Sequence, residues 1–170
     1  LIDIVAAQAV DLPEIDLLLD ARFGPARRKR TAYRLREGMA AIPALSFVAR
    51  DGGELVGSVQ CWPVALSTTA GAMLPLTLLG PLVIAADREG QGIGSALMAR
   101  VLEAANAADT SPMLLIGDEP YYGRFGFSAA RTGGFVVPGP VDRARLLLRG
   151  GEDLPALGWL GPRDGVRRAA

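Results

Sequence analysis

The stretch Arg88-Glu89-Gly90-Gln91-Gly92-Ile93-Gly94-Ser95 decides how this chain is read, because it joins an apolar segment to an amphipathic one. Ahead of it, residues 76–85 are almost continuously apolar, as expected of an interior strand. Behind it, Ile93, Leu97 and Val101, with Met98 and Leu102 beside them, recur at helical spacing and predict an amphipathic helix over 92–107. Three alternate glycines therefore fall between a buried strand and a helix N-terminus. Backbone N–H groups converge at such a junction, and the helix dipole favours an anion there by about 0.3 to 2 kcal/mol. Glycine suits the place because a Cβ would keep a phosphate from the backbone, and because some positions of the turn call for positive φ. The competing reading is a tight strand-to-helix turn with no ligand.

Glycine spacing narrows the ligand. A phosphate-binding loop of the G-x-x-x-x-G-K-S/T type has no counterpart in the chain. A dinucleotide fingerprint, G-x-G-x-x-G, fails from Gly92, where Leu97 takes the last glycine, and from Gly90, where Ser95 does. The loop also follows several strands instead of opening a βαβ unit, so a dinucleotide-binding fold is the weaker alternative.

Outward from the loop, residues 1–5 read as a strand, and Asp11-Leu12-Pro13-Glu14 reads as a helix start with Asp11 as cap and Glu14 as its capping-box partner. Ile15, Leu18 and Leu19 give that helix a buried side. A basic run, Arg27-Arg28-Lys29-Arg30, precedes a second helical stretch over 31–39. Strand 45–49, the turn Asp51-Gly52-Gly53 and strand 55–59 form a predicted hairpin. No charge falls between Glu54 and Asp87, yet Pro63, Pro75 and Pro81 argue against a membrane helix and for two buried strands joined by a turn. Residues 113–116 read as a short strand, 121–125 as a short helix or turn ending at Gly126, 135–137 as a strand and 141–148 as containing a helix; the tail from Gly150 carries no clear signal. The expected order is β-α-α-β-β-β-α-β-α-β.

Composition bounds the chemistry. The 170 residues, 50% of them hydrophobic, suit a single domain over 1–170. Eighteen basic residues balance eighteen acidic ones, so no overall field draws the chain to nucleic acid or an anionic membrane. One cysteine, Cys61, excludes an intrachain disulfide framework and a CxxC metal site, and no metal is expected. The chain contains no histidine, which removes the usual general base and every Ser-His-Asp or Cys-His arrangement. The first ten residues lack a basic start and a long apolar run, so they do not read as a signal peptide, and the expected location is cytoplasmic.

At this point the residues resemble a known family, the GNAT acetyltransferases, whose pyrophosphate loop reads Q/R-x-x-G-x-G/A after the fourth strand. Gly92-Ile93-Gly94 occupies its G-x-G part, and Glu89 stands where the family has Gln or Arg; Arg88, one place earlier, is the candidate for the displaced positive charge. Independently, Tyr121-Tyr122-Gly123-Arg124-Phe125-Gly126-Phe127 resembles the family's Y-x-x-x-G-F stretch, with Tyr122 as its tyrosine. Gly117-Asp118-Glu119-Pro120, residues 31–38 and Pro138-Gly139-Pro140-Val141-Asp142 are similar to a bacterial subgroup of N-acetyltransferases known only as such. The resemblance covers most of the chain, and most strongly 44–127.

It implies a mixed α/β (α+β) fold with a central, twisted, mostly antiparallel sheet, splayed parallel strands 4 and 5, and flanking helices. It implies acetyl-CoA as cofactor, with Leu82, Val83 and Ile84 meeting the pantetheine arm and Glu89, Gly90, Gln91, Gly92, Ile93, Gly94 and Ser95 the pyrophosphate. Transfer would pass directly to a primary amine of a small molecule or peptide in a ternary complex. The Ile84 N–H would stabilise the oxyanion and Tyr122 would protonate the leaving thiolate. For the base, Glu37, Glu54, Asp118, Glu119 and water stay open. Residues 22–33 and 60–63 would shape the acceptor site, and the basic run would meet an anionic acceptor, meet the CoA 3'-phosphate or stay solvated. Cys61, beside Trp62 but without an activating base, is a poor nucleophile. The alternative is a non-catalytic acyl-CoA-binding module or sensor, and apolar strand edges near the C-terminus would allow a homodimer.

Overall fold

A computed structural model describes residues 1–110 and 112–163. Their strands pair in the order β1-β2-β3-β4-β5-β7, with β8 pairing both β3 and β6; these are Ile2–Ala6 (β1), Phe47–Asp51 (β2), Glu54–Ser67 (β3), Met73–Ile84 (β4), Met113–Ile116 (β5), Gly134–Val136 (β6), Leu146–Arg149 (β7) and Leu157–Pro162 (β8). Pairing is mostly antiparallel, with parallel ladders at β4–β5 and β6–β8. The helices are Leu12–Phe23 (α1), Thr31–Leu35 (α2), Ile93–Ala107 (α3) and Glu119–Tyr122 (α4). The expected class, mixed α/β with parallel fourth and fifth strands, is thus observed. Among the described residues no helix is long and apolar enough to cross a membrane.

The chain divides into two compact units, and β3 and β4 each contribute to both. The first comprises Leu1–Arg28, Ala41–Cys61 and Gly80–Thr110. Its β2–β3 hairpin closes through Gly52 and Gly53, at φ 57° and 94°, a left-handed pair that the Asp-Gly-Gly sequence permits. α1 buries Ile15 and Leu19 against Val48, Leu55 and Val83. α3 buries Ile93, Leu97, Met98, Val101, Leu102 and Ala105, the stripe its spacing predicts. Each of the five larger side chains contributes about 1.5 to 3 kcal/mol when fully buried, which holds this helix and its leading loop in place.

The start of α1 differs from expectation. Asp11 takes the cap position but its carboxylate does not cap the helix. It accepts the Gln8 N–H at 2.7 Å and pairs with Arg50 at 2.6 Å, while Glu14 also turns to Arg50, at 3.0 Å. Asp11 instead completes a capping box with Gln8 across the preceding turn Ala9–Asp11, and the Gln8 N–H with Arg50 holds its carboxyl below its ordinary range.

The second unit comprises Lys29–Ala40, Trp62–Leu79 and the described residues beyond 111. Its core gathers Leu35, Leu66, Leu76, Leu78, Leu114, Phe135, Leu146 and Leu160. β5 runs parallel to β4, with Thr77 opposite Met113 and Leu78 opposite Leu114, and antiparallel to β7, with Ile116 opposite Leu146. Residues 146–149 are therefore a strand, not the end of a helix; only the single turn Arg143–Arg145 is helical. Leu146, Leu147 and Leu148 are buried on both faces, so their run lacks the alternation that marks a half-buried strand. The tail also forms a strand, β8, between β3 and β6. Its Gly158 lies so close to Leu66 that a Cβ would come within 2.6 Å of Leu66 Cδ1, a tertiary reason for glycine that local sequence does not carry. α2 is shorter than the predicted 31–39 and ends at Leu35.

Candidate active site

In the first unit the end of β4 delivers the glycine loop to α3. Leu82 and Ile84 are half-buried and Val83 is buried in the α1 core. Gly57 of β3 makes room for this segment: a Cβ there would stand 3.0 Å from Ile84 Cδ1 and 3.2 Å from the Val83 carbonyl oxygen. The Ala85 N–H donates to Val56 O at 2.9 Å, and one helical turn, Ala86–Arg88, leads into the loop.

Gly90 and Gly92 adopt φ of 76° and 78°, and nothing lies within 4 Å of where a Cβ on either would sit. Their glycines answer to backbone conformation, and the space above them is open. Gly92 caps α3, whose first intrahelical bond runs from Ala96 N to Gly92 O at 3.0 Å. The amides of Ile93, Gly94 and Ser95 lie ahead of that bond, at the positive end of a 15-residue helix with no acidic residue in its first turn. The donor set fits a diphosphate: amides, a helix terminus, open space above, and no carboxylate from the helix itself.

Two charged residues at this loop are handled in a way the sequence does not show. Glu89 is paired with Arg22, from the last turn of α1. Arg88 does not supply charge to the loop; it turns to Asp51 at 3.4 Å and Glu54 at 3.7 Å in the β2–β3 hairpin. Compensation for Glu89 comes from a residue 67 positions away. The basic run is likewise committed in part: Arg27, only 3% exposed, pairs with Asp20 at 2.8 Å and Asp16 at 3.0 Å, and Arg28 pairs with Asp20 at 3.2 Å. The hydrogen bond from Arg27 holds the Asp20 carboxyl below its ordinary range. Cys61 is fully buried, and burial pushes its thiol up, which removes the thiolate a nucleophile needs.

Tyr122 belongs to the second unit. It ends α4, a single turn whose Tyr121 and Tyr122 N–H groups donate to Asp118 O at 3.1 and 2.9 Å. Its ring meets Tyr121 edge-on at 4.8 Å and Phe127 at 6.4 Å between centroids. Burial, with smaller contributions from Tyr121 and Asp118, pushes its hydroxyl up to about 12, so it stays protonated at neutral pH. Asp118 is paired with Arg145 at 3.1 Å, and Glu119 Oε2 accepts the Ala129 N–H at 3.4 Å. In the same unit the Arg36 guanidinium lies over the rings of both Tyr33 and Trp62, 4.1 and 3.7 Å from their centroids. Among the described residues no group of histidine, cysteine and carboxylate side chains could hold a metal.

The structure thus brings Leu82, Val83, Ile84 and the loop 89–95 together in one unit and sets Tyr122 within the other. Gly57, Gly117 and Arg145 escaped the sequence reading as site residues, and Arg22 entered it only as the edge of the acceptor range 22–33, not as the partner of Glu89. Each works through a partner remote along the chain or through absent side-chain volume, and only the quoted string around Gly117 carried any signal.

Residues 4–130 match the family model described as an acetyltransferase (GNAT) domain. The chain belongs to the GNAT acetyltransferase family. Among the relatives of this GNAT chain is an uncharacterized N-acetyltransferase of Streptomyces avermitilis, 31% identical over 132 residues. That alignment covers 69% of this chain but 31% of that protein, so the chain spans about a third of its length. Another is the uncharacterized N-acetyltransferase YhbS of Escherichia coli, 30% identical over 122 residues, which cover 71% of this chain and 70% of the relative. The crystal structure of YhbS in complex with CoA superposes with a TM-score of 0.75 at 24% identity, over 99% of this chain and 93% of that one. A GNAT acetyltransferase from Brucella melitensis in complex with acetyl-CoA superposes with a TM-score of 0.66 at 26% identity, over 95% of both chains.

Proposed function

We propose that this chain is an acetyl-CoA-dependent N-acetyltransferase that passes the acetyl group directly to a primary amine of a small molecule or peptide, its two units acting as one acetyltransferase domain. The observation that carries the reading is the loop at α3: two left-handed glycines with open space above them, ahead of amides at a helix terminus. In this reading the amides of Gly90 to Ser95 hold the pyrophosphate of CoA, and Leu82, Val83 and Ile84 meet its pantetheine arm through their backbone. Glu89 stays compensated by Arg22, so no unpaired carboxylate opposes the anion. Acetyl-CoA, when bound, supplies an activated thioester carbonyl. The Ile84 N–H donates to the oxygen on which charge develops. Tyr122, protonated far above neutral pH, donates its proton to the departing sulfur. The protonated thiol of Cys61 and the lack of a base beside it favour direct transfer over an acyl-cysteine.

A thermal-shift titration with acetyl-CoA, CoA and NADH side by side tests the reading. At about a hundredfold excess over Kd a ligand adds roughly 2.7 kcal/mol, which raises Tm by about 5 to 10 °C for a chain of this size. Both CoA species are expected to shift Tm and NADH is not. A flat response to both CoA species overturns the reading. A shift without acetyl transfer to any member of an amine panel identifies an acyl-CoA-binding module instead.

A further inference from the structure

Gly117, the residue after β5, has an ordinary backbone, yet no side chain fits there. A Cβ built on it would stand 2.8 Å from Tyr122 Cδ2, closer still to Cε2 of the same ring, and 3.2 Å from Leu115 Cδ1. The Cδ2–Cε2 edge of the Tyr122 ring therefore packs directly against the Gly117 α-carbon. That backbone is itself pinned, because the Gly117 N–H donates to Arg145 O at 2.9 Å and the next residue, Asp118, caps α4 and pairs with Arg145 at 3.1 Å. Tyr121 and Phe127 also meet the ring in edge-to-face contacts, 4.8 and 6.4 Å between centroids. We infer that Gly117 is the positioning residue for Tyr122: by carrying no side chain it provides the seat that holds the ring in its partly buried place and fixes where the phenol hydroxyl points. This rests on the proposed acid role of Tyr122, while the seat itself stands on the packing alone.

Gly117→Ala tests it in three ways on the full chain. The first needs no acceptor amine. In protein carrying 13C at the tyrosine ring carbon bonded to oxygen, three signals arise, from Tyr33, Tyr121 and Tyr122, and Tyr122→Phe assigns the third. In the parent chain the Tyr122 signal stays still up to about pH 11, because burial holds this phenol up at about 12. In Gly117→Ala the displaced ring meets water and its midpoint falls toward the ordinary tyrosine value of about 10. The second measures turnover with whichever amine the panel identifies. Gly117→Ala lowers kcat by about tenfold or more, toward the 10²-fold or larger loss typical of a removed general acid, with CoA affinity unchanged. Added to Tyr122→Phe, it changes kcat by less than about twofold, because the group it positions is already gone. The third guards against misfolding: in a Tyr122→Ala background, which lacks the ring, adding Gly117→Ala leaves Tm where it was.

An unmoved Tyr122 midpoint, an equal loss of kcat with and without the phenol, or a Tm penalty of Gly117→Ala that persists without the ring each overturns the inference. Full turnover by Tyr122→Phe alone would remove the acid role, and the positioning role with it, while leaving the CoA reading intact. A slow Tyr122→Phe beside an unimpaired Gly117→Ala would remove the positioning role alone.

Discussion

Gly92 and Gly117 are both indispensable as glycines for opposite reasons, and the contrast separates the two halves of the proposed chemistry. At Gly92 the backbone is left-handed and the space around it empty. At Gly117 the backbone is ordinary and the space is filled by an aromatic ring. The first glycine shapes a surface of amides for a ligand to approach; the second removes volume so that a side chain can approach. Substitutions at the two places should accordingly be read by different assays, CoA affinity for the loop and turnover for the tyrosine.

The largest effect falls on the tyrosine side. Tyr122→Phe removes one oxygen from a packed ring, so Tm and CoA affinity hold while kcat falls by about 10²- to 10⁴-fold. The pH profile carries the same test. An alkylamine acceptor with a pKa of about 10 makes kcat/KM climb about tenfold per pH unit between 7 and 9, as the free amine accumulates. The acid must stay protonated for catalysis, and since burial holds Tyr122 up at about 12, that requirement imposes no falling limb until pH approaches that value. A falling limb near pH 9 would mean that another group is the acid.

Next comes Gly158→Val, a steric substitution like that of Gly117 but outside the proposed site. Its side chain would have to displace Leu66 and press on the Ser67 carbonyl oxygen, 2.9 Å from the Cβ position. A loss of about 1 to 3 kcal/mol in stability is expected, read as a lower denaturation midpoint with kcat of the folded fraction unchanged. A change in kcat would show that β8 is tied to the chemistry.

These two glycines also show what sequence could and could not reveal. The strand, loop and α3 were legible because their signals are local: an apolar run, three alternate glycines, and a 3.6-residue stripe from Ile93 to Ala105. The β2–β3 turn was legible for the same reason, since Asp-Gly-Gly favours the left-handed pair at Gly52 and Gly53 whatever surrounds it. β7 was misread as helical because Leu146 to Leu148 are buried on both faces and show no period. β8 was missed because its Gly158 answers to Leu66 on β3, about ninety residues earlier. At the site, Tyr122 stood out through its family motif, whereas its seat depends on the absence of a side chain. Arg22 took the place beside Glu89 that was expected of Arg88, because a guanidinium's reach, not its place in the sequence, selects its carboxylate.

On the loop side, Gly92→Ala imposes a left-handed conformation that an L-residue adopts at a cost of about 1 to 2 kcal/mol. With nothing within 4 Å to strike, that is the whole penalty on the fold. Asparagine tolerates the left-handed region better, so Gly92→Asn should recover much of the Tm lost by Gly92→Ala. Neither should recover CoA affinity, because either side chain stands where the diphosphate approaches. Recovery of both by asparagine would mean that conformation alone matters at Gly92 and that the ligand does not lie over it.

The smallest effect belongs to the ion pair beside the loop. Glu89 is more than half exposed and Arg22 about a third, so solvent screens their attraction and little stability rides on it. Its consequence is electrostatic toward a bound anion. Arg22→Ala leaves the Glu89 carboxylate uncompensated at the loop and should weaken CoA binding by about two- to fivefold, the range expected of one screened charge near a helix terminus. Glu89→Gln removes that carboxylate and should bind CoA at least as tightly as the parent chain. In the double variant no charge of either sign remains at the pair. If Arg22 acts only by neutralising Glu89, the double variant binds like Glu89→Gln. If Arg22 also attracts the diphosphate directly, the double variant binds more weakly than Glu89→Gln, and the difference shrinks as salt is added. Titrations at two ionic strengths separate the two roles.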